Sequence, residues 1–306
     1  MKKRIMAMVM TIAMGTMMFA GCGTEGTSGS TDAAPKAETS EATESKTVES
    51  EATGSEEAVV STEEAGPLLS KIKESGKLVV GTASGYPPYE FVDITSADQA
   101  VIGVDMELAQ AIADELGVEL EVQDMTFSAL LASIPAGTVD MAIAGVSPTD
   151  ERRETMDFSD SYLFADQVVI INKSDADKYK TFDDLKGATL AAEKSTTQES
   201  LVQELLPDNT LVSLDHVPEC ILELKNGKVD GVVVESIVGE QYILADDTLQ
   251  FADAKFDRQK EAAIVINKGN EDLLEILNKV IKENQDAGNF DAWVTKYSQI
   301  VVDNAQ

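Results

Sequence analysis

Arg152 follows Ser147 by five residues in the stretch Asp140-Met-Ala-Ile-Ala-Gly-Val-Ser-Pro-Thr-Asp-Glu-Arg-Arg153. Together the two side chains could grip a zwitterion. A guanidinium fork matches a carboxylate through two parallel hydrogen bonds, and a serine hydroxyl can accept from an ammonium. Gly145, in the same turn, has no Cβ and would let a ligand approach the backbone closely. The apolar run Met141 to Ala144 reads as a buried strand. After the turn, Thr149 reads as a helix N-cap with Arg152 on the first helical turn, and a helix N-terminus favours an anion. From these residues alone, an ordinary strand–turn–helix with a surface arginine fits equally well.

Other chemistries find little support. His216 is the sole histidine and Cys220 the sole cysteine beyond Cys22, so a zinc site or a histidine-based triad is hard to build. Cys220 lies in the helical pattern Pro218-Glu-Cys-Ile-Leu-Glu-Leu224, where a buried apolar thiol is expected. The net charge of −31 opposes binding to nucleic acid, which needs cationic contacts. No cofactor or metal is expected.

The first residues read as an export signal. Lys2, Lys3 and Arg4 precede an apolar stretch from Ile5 to Ala20, short for a membrane span. The stretch ends in Phe19-Ala-Gly-Cys22, similar to a bacterial lipobox; a plain signal peptide with an incidental cysteine is the alternative. Residues 1–21 are thus expected to be removed and Cys22 to be lipidated, anchoring the protein to the bilayer on the outer face of the cell membrane. Residues 23–66 hold eleven acids, two lysines and no aromatic residue. Such a segment cannot bury enough apolar surface to offset its ordering entropy, so residues 22–66 read as a lipidated, disordered acidic tether.

About 240 residues remain, in which strand and helix patterns alternate, as in α/β folds with parallel sheets. Strands are expected at Lys77 to Gly81, Glu119 to Val122, Met141 to Ala144, Gln167 to Asn172, Ala188 to Ala192, Leu211 to Leu214, Gly231 to Val234 and Glu261 to Asn267. Helices are expected over Asp105 to Leu116, over Ser128 to Ala136 with an interruption at Pro135, and over Glu271 to Gln285. Thr181 to Leu185 reads as a short capped helix. Asp105 could cap its helix or supply negative charge near a pocket mouth. Phe290, Trp293 and Tyr297 at helical spacing read as core anchors.

Three further stretches accompany the Ser147–Arg152 turn: Val80-Gly-Thr-Ala-Ser-Gly-Tyr-Pro-Pro-Tyr-Glu-Phe-Val-Asp93, Gly103-Val-Asp-Met-Glu-Leu-Ala-Gln-Ala-Ile-Ala-Asp-Glu-Leu-Gly117 and Met156-Asp-Phe-Ser-Asp-Ser-Tyr162. In this order they resemble the polar amino-acid branch of the bacterial extracellular solute-binding proteins, family 3, which serve ABC importers. The resemblance covers residues 67–306. It implies a type II periplasmic-binding-protein fold, with two α/β lobes joined by two crossing hinge strands. The crossings would lie near Ile170 to Lys173 and Ala263 to Asn267. Lobe one would then be 67–171 with 263–306, and lobe two 172–262.

The resemblance also implies a ligand site. Arg152 would take the ligand carboxylate, with backbone groups around Thr197 and with Gln198 beside the side-chain pocket. The alternative for Ser195-Thr-Thr is a plain helix cap. Gly145, Ser147 and Glu235 would take the ammonium; Glu235 stands where the family usually has aspartate. Tyr86 and Phe127 would sandwich the ligand side chain, though Phe127 could equally be core. Glu90 would add charge at the mouth. Ala83 stands where binders of basic residues or of glutamine often have aspartate, which argues against lysine or histidine as the ligand. The implied function is capture of a polar L-amino acid by a monomer and its delivery to a membrane permease by hinge closure, without catalysis. The alternatives are an enzyme similar to cyclohexadienyl dehydratase, or an amino-acid sensor or adaptor on the same fold.

Overall fold

The computed structural model describes residues 66–304. The expected signal peptide, Cys22 and nearly all of the tether lie outside the described residues. The chain opens with α1 (Pro67–Ser75), β1 (Lys77–Thr82), β2 (Phe91–Val92), β3 (Val101–Ile102), α2 (Val104–Leu116), β4 (Glu119–Asp124), α3 (Phe127–Ala136) and β5 (Met141–Val146). It continues through α4 (Asp150–Arg153), β6 (Met156–Phe158), β7 (Leu163–Asn172), β8 (Thr189–Glu193), α5 (Thr197–Leu205), β9 (Thr210–Leu214) and α6 (Val217–Lys225). It ends with β10 (Gly231–Glu235), α7 (Ser236–Ala245), β11 (Leu249–Asn267), α8 (Glu271–Asp286) and α9 (Asn289–Asn304).

The helix boundaries follow local chemistry. Pro67 supplies the fixed φ of a first helical residue, and Gly76 takes the left-handed turn that ends α1. Thr126 caps α3 by accepting from the Ala129 N–H. Pro135 does not interrupt α3, because it sits in the last turn, just before the left-handed Gly137. Gly103 ahead of α2 has φ +143°, and a Cβ there would lie 1.9 Å from the Tyr89 carbonyl oxygen. Asp105 does not cap α2; its carboxylate reaches across to Gly145 and Tyr162.

The main sheet runs β4-β1-β5-β11-β7-β10-β8-β9, with β6 beside β11. It falls into two halves. β1, β4 and β5 are mutually parallel, as are β8, β9 and β10. β7 and β11 are antiparallel to each other and to the strands they join, so the sheet is mixed rather than purely parallel. Both strands run longer than their apolar patterns suggest. β7 begins at Leu163, and its Gln167 to Ile170 already pair with β10, upstream of the expected crossing at Ile170 to Lys173. β11 spans 19 residues where only Glu261 to Asn267 was expected. Where the strands pass between the halves, one face meets solvent and exposed residues such as Phe164 and Asp166 break the apolar run. The β2–β3 hairpin and β6 were too short to read.

Burial accounts for cohesion. Leu78, Val80, Leu108, Ile112 and Ile143 are fully buried on one side of β1 and β5, each contributing roughly 1.5–3 kcal/mol. Leu130, Ile134, Ala142 and Val265 fill the other side. Val169, Ile171, Leu190 and Leu201 pack in the second half. Phe290 and Tyr297 are buried, and Phe290 stacks on Tyr162 at 5.7 Å. Their helix, α9, contacts α2 and α8, and also α7.

Candidate functional site

β5 and β8 deliver their C-terminal ends to one small cavity between the sheet halves, and the end of β10 stands just behind it. Open α/β sheets bind ligands at such ends. From the first half come Tyr86, Glu90, Phe127, Gly145, Ser147 and Arg152; from the second come Glu193, Thr197 and Gln198; from β11 comes Lys260. A wider cleft continues outward past Arg152 and Thr197.

Arg152 sits on a single turn of helix whose cap, Thr149, accepts from the Arg152 N–H. The four residues of α4 are too few for a strong terminal dipole, so the guanidinium itself is the positive group here. Nη1 donates to the Ser147 carbonyl and Nη2 to the Ser195 carbonyl, both at 2.8 Å. Its Cζ stands 5.5 Å from the centre of the Phe127 ring. Among the described residues it forms no ion pair, and burial lowers its pKa to about 10, so it stays charged at neutral pH. Arg153 is exposed and turns to Phe158.

Gly145 has φ +51°, a conformation that disfavours a side chain. Its N–H donates to the Asp105 carboxylate at 2.9 Å and lies 3.3 Å from the Tyr162 hydroxyl. The Ser147 hydroxyl is buried without a hydrogen-bond partner among the described residues. Thr196, not Thr197, caps α5, accepting from the Glu199 N–H. Thr197 is the first helical residue, and its hydroxyl donates to the Gln198 side-chain oxygen. Gln198 in turn donates to the Tyr86 hydroxyl at 3.4 Å. Contacts thus cross between the halves at Ser128–Ser195, Arg152–Ser195, Gln198–Tyr86 and Tyr242–Gly85.

Acids collect at the far end. Glu90 and Asp105 are buried and touch each other; burial first, and then the Asp105 charge, push the Glu90 pKa well up. Burial raises Asp105 to about 6, against the hydrogen bonds from Gly145 and Tyr162 that favour its charge. Burial raises Glu193 to about 8. Glu235 is 1% exposed and pairs with Lys260 Nζ at 2.5 Å.

Lys260 and Glu193 are the residues that sequence reading missed. The Lys260 ammonium is 4.9 Å from the centre of the Tyr86 ring and 5.6 Å from that of Tyr89. It would lie 3.1 Å from a Cβ at Gly145. It therefore stands beside Gly145 and Glu235, two of the three groups expected to hold a ligand ammonium. A signal for it existed: stepping back by twos from Ile266 through Ile264 and Ala262 puts residue 260 on the inward face. The flanking Asp257-Arg258-Gln259 and Glu261 concealed it as a solvated stretch. Glu193, like Glu235, is an acid at the end of a buried strand.

Residues 78–300 match the model of the bacterial extracellular solute-binding proteins, family 3. The arginine-binding extracellular protein ArtP of Bacillus subtilis is 33% identical over 231 residues, covering 73% of this chain and 88% of its own. The L-cystine-binding protein TcyJ of Escherichia coli K12 is 32% identical, covering 75% and 85%. The crystal structure of the amino acid ABC transporter substrate-binding protein AbpA of Streptococcus pneumoniae, bound to L-arginine, superposes with a TM-score of 0.74 at 35% identity, covering 76% of this chain and 99% of that one. The chain therefore belongs to the bacterial extracellular solute-binding proteins, family 3.

Proposed function

We propose that the protein captures a cationic L-amino acid, arginine first, and hands it to a membrane permease without transforming it chemically. The observation that carries this is the polarity of this cavity: an unneutralised guanidinium at one end and buried carboxyl groups at the other. Arg152 and the backbone around Thr197 take the carboxylate. Ser147 and Gly145 take the α-ammonium; Glu235, expected to share it, stands one contact behind the cavity and is paired with Lys260. Tyr86 and Phe127 flank the side chain, at about 0.5–2 kcal/mol per cation–ring contact, and Gln198 and Glu90 lie beside it. The arginine ligand of AbpA and the name of ArtP support the choice.

The two sheet halves act as lobes that close over the ligand about β7 and β11. The pairing pattern supports a pivot at Leu163 to Asp166 and Gln259 to Ala262, which moves the first boundary upstream of Ile171. No single lobe offers partners for both ends of the zwitterion, so ligand favours the closed form through contacts that the open form lacks. The monomer would be held on the outer face of the cell membrane through lipidated Cys22.

A thermal-shift screen against the common amino acids tests the ligand class. A ligand at 100 times its dissociation constant stabilises by about 2.7 kcal/mol, and arginine should head the series. A larger shift with cystine or glutamine and none with arginine or lysine would overturn the cationic assignment. Closure should appear as a smaller radius of gyration in solution scattering with ligand. Incubation with arogenate or prephenate should give no product. An acyl mass on an N-terminal peptide beginning at Cys22, lost with membrane attachment in Cys22→Ser, tests the anchor.

A further inference from the structure

Ala83 puts a methyl group, not an acid, at its place on the first lobe's wall of the cavity, where Glu90 is the acid present. Across from it, in the same cavity, stands Glu193, the last residue of β8. Its side chain is 8% exposed, and its carboxyl makes no hydrogen bond or ion pair among the described residues. Only its backbone carbonyl is engaged, accepting from the Thr196 hydroxyl at 2.6 Å. A buried carboxyl without partners costs free energy that a paired one does not. Glu235 is already tied to Lys260, and Asp105 to Gly145 and Tyr162. Two acids line the cavity itself: Glu90, which leans on Asp105 and has an unpartnered Oε2, and Glu193, the one contributed by the second half.

We infer that Glu193 selects the ligand's side-chain charge: it meets a guanidinium or ammonium as a carboxylate, and it gives up a proton to do so. The inference rests on the cationic reading proposed above. The charged groups around Glu193 are Lys260 on β11, which favours its ionised form, and Asp215 and Glu219 at the ends of β9 and α6, which oppose it. Burial first, with a smaller contribution from Glu193, holds Glu90, Tyr86, Tyr242 and Cys220 toward their neutral forms. The balance leaves Glu193 with a pKa of about 8, so at pH 7 it holds its proton until a cation arrives. A cationic side chain then pairs with the carboxylate, and the proton passes to buffer. A neutral side chain of the same shape leaves the proton in place.

L-Citrulline is such a shape mimic of L-arginine. Calorimetric titration at pH 7 in phosphate and in Tris, whose ionisation heats differ, reads the protons exchanged. Arginine should release about one proton and citrulline none. Glu193→Gln should weaken arginine by about 10- to 100-fold, the scale of a charge-assisted hydrogen bond, and leave citrulline within threefold. Glu193→Asp should recover part of the arginine affinity and the proton release. An unchanged arginine-to-citrulline ratio in Glu193→Gln overturns the inference while leaving the cationic reading intact. So does arginine binding by the unmodified protein without proton release, a measurement that needs no variant to fold. Failure of the unmodified protein to bind arginine or lysine overturns both.

Discussion

Arg152 and Lys260 are two cations drawn into one cavity, and they are treated in opposite ways. Lys260 is 6% exposed and ion-paired to Glu235, with Glu90, Asp105 and Glu193 in its field. Arg152 is held only by the carbonyl oxygens of Ser147 and Ser195. Carbonyl dipoles fix a guanidinium in place but do not cancel its charge. A buried cation paired within the protein serves structure first, and one left with dipoles is prepared for an anion from outside. The same distinction separates Glu235, which is paired, from Glu193, which is not.

The largest contrast should come from breaking each cation in turn. Arg152→Ala is expected to abolish amino-acid binding with little loss of stability. Truncating one partner of a buried charge pair costs about 2–5 kcal/mol in binding, so calorimetry should show at least a roughly 30-fold weaker ligand. A variant within threefold of the parent would show that the carboxylate is held elsewhere.

Lys260→Met should do the reverse and strike stability first. It strands Glu235 without its partner, at about 3–5 kcal/mol, or a Tm lower by roughly 6–20 °C. Adding Glu235→Gln should return most of that loss, because the stranded charge is gone. A melting temperature unmoved by Lys260→Met alone would mean the pair is not closed in solution.

A smaller effect follows from the raised acids. Glu193, at about 8 against an ordinary 4.5, keeps a proton in the folded chain that the unfolded chain gives up. The folded state therefore binds more protons between those values, and stability without ligand should fall as pH rises through that window. Asp105, at about 6, adds to the fall at its acid end. Thermal melts from pH 5 to 8 should show the decline, and Glu193→Gln should make it shallower. Equal slopes in the two proteins would remove Glu193 as its source.

Arg153→Ala is the smallest expected change. Its side chain is exposed and rests over Phe158, so binding should stay within threefold and stability within about 0.5 kcal/mol. A loss comparable to that of Arg152→Ala would reverse the assignment of the two neighbours.

Much of the fold was legible because its signals are local. The amphipathic stripe of α2, the glycine stop at Gly117 and the Thr149 cap need only neighbours in sequence. The ordered motifs brought Tyr86, Phe127, Gly145, Ser147, Arg152, Thr197, Gln198, Glu90 and Glu235 together before any coordinates, and all but Glu235 line the cavity. Glu235 stands one contact behind it, through Lys260. The crossing strands were read short because their patterns change where their neighbours do.

Sequence alone determined the alternation of strands and helices, the family, and which residue types could face a zwitterion, since apolar periodicity and motif order are properties of the chain. Only the tertiary structure decided the charge state of the site. Lys260 becomes a buried cation because β11 swings it under Tyr86, and Glu193 keeps its proton because burial withholds water from its carboxyl. Both depend on which groups from distant segments exclude solvent together, and desolvation cannot be read from a residue and its neighbours in sequence.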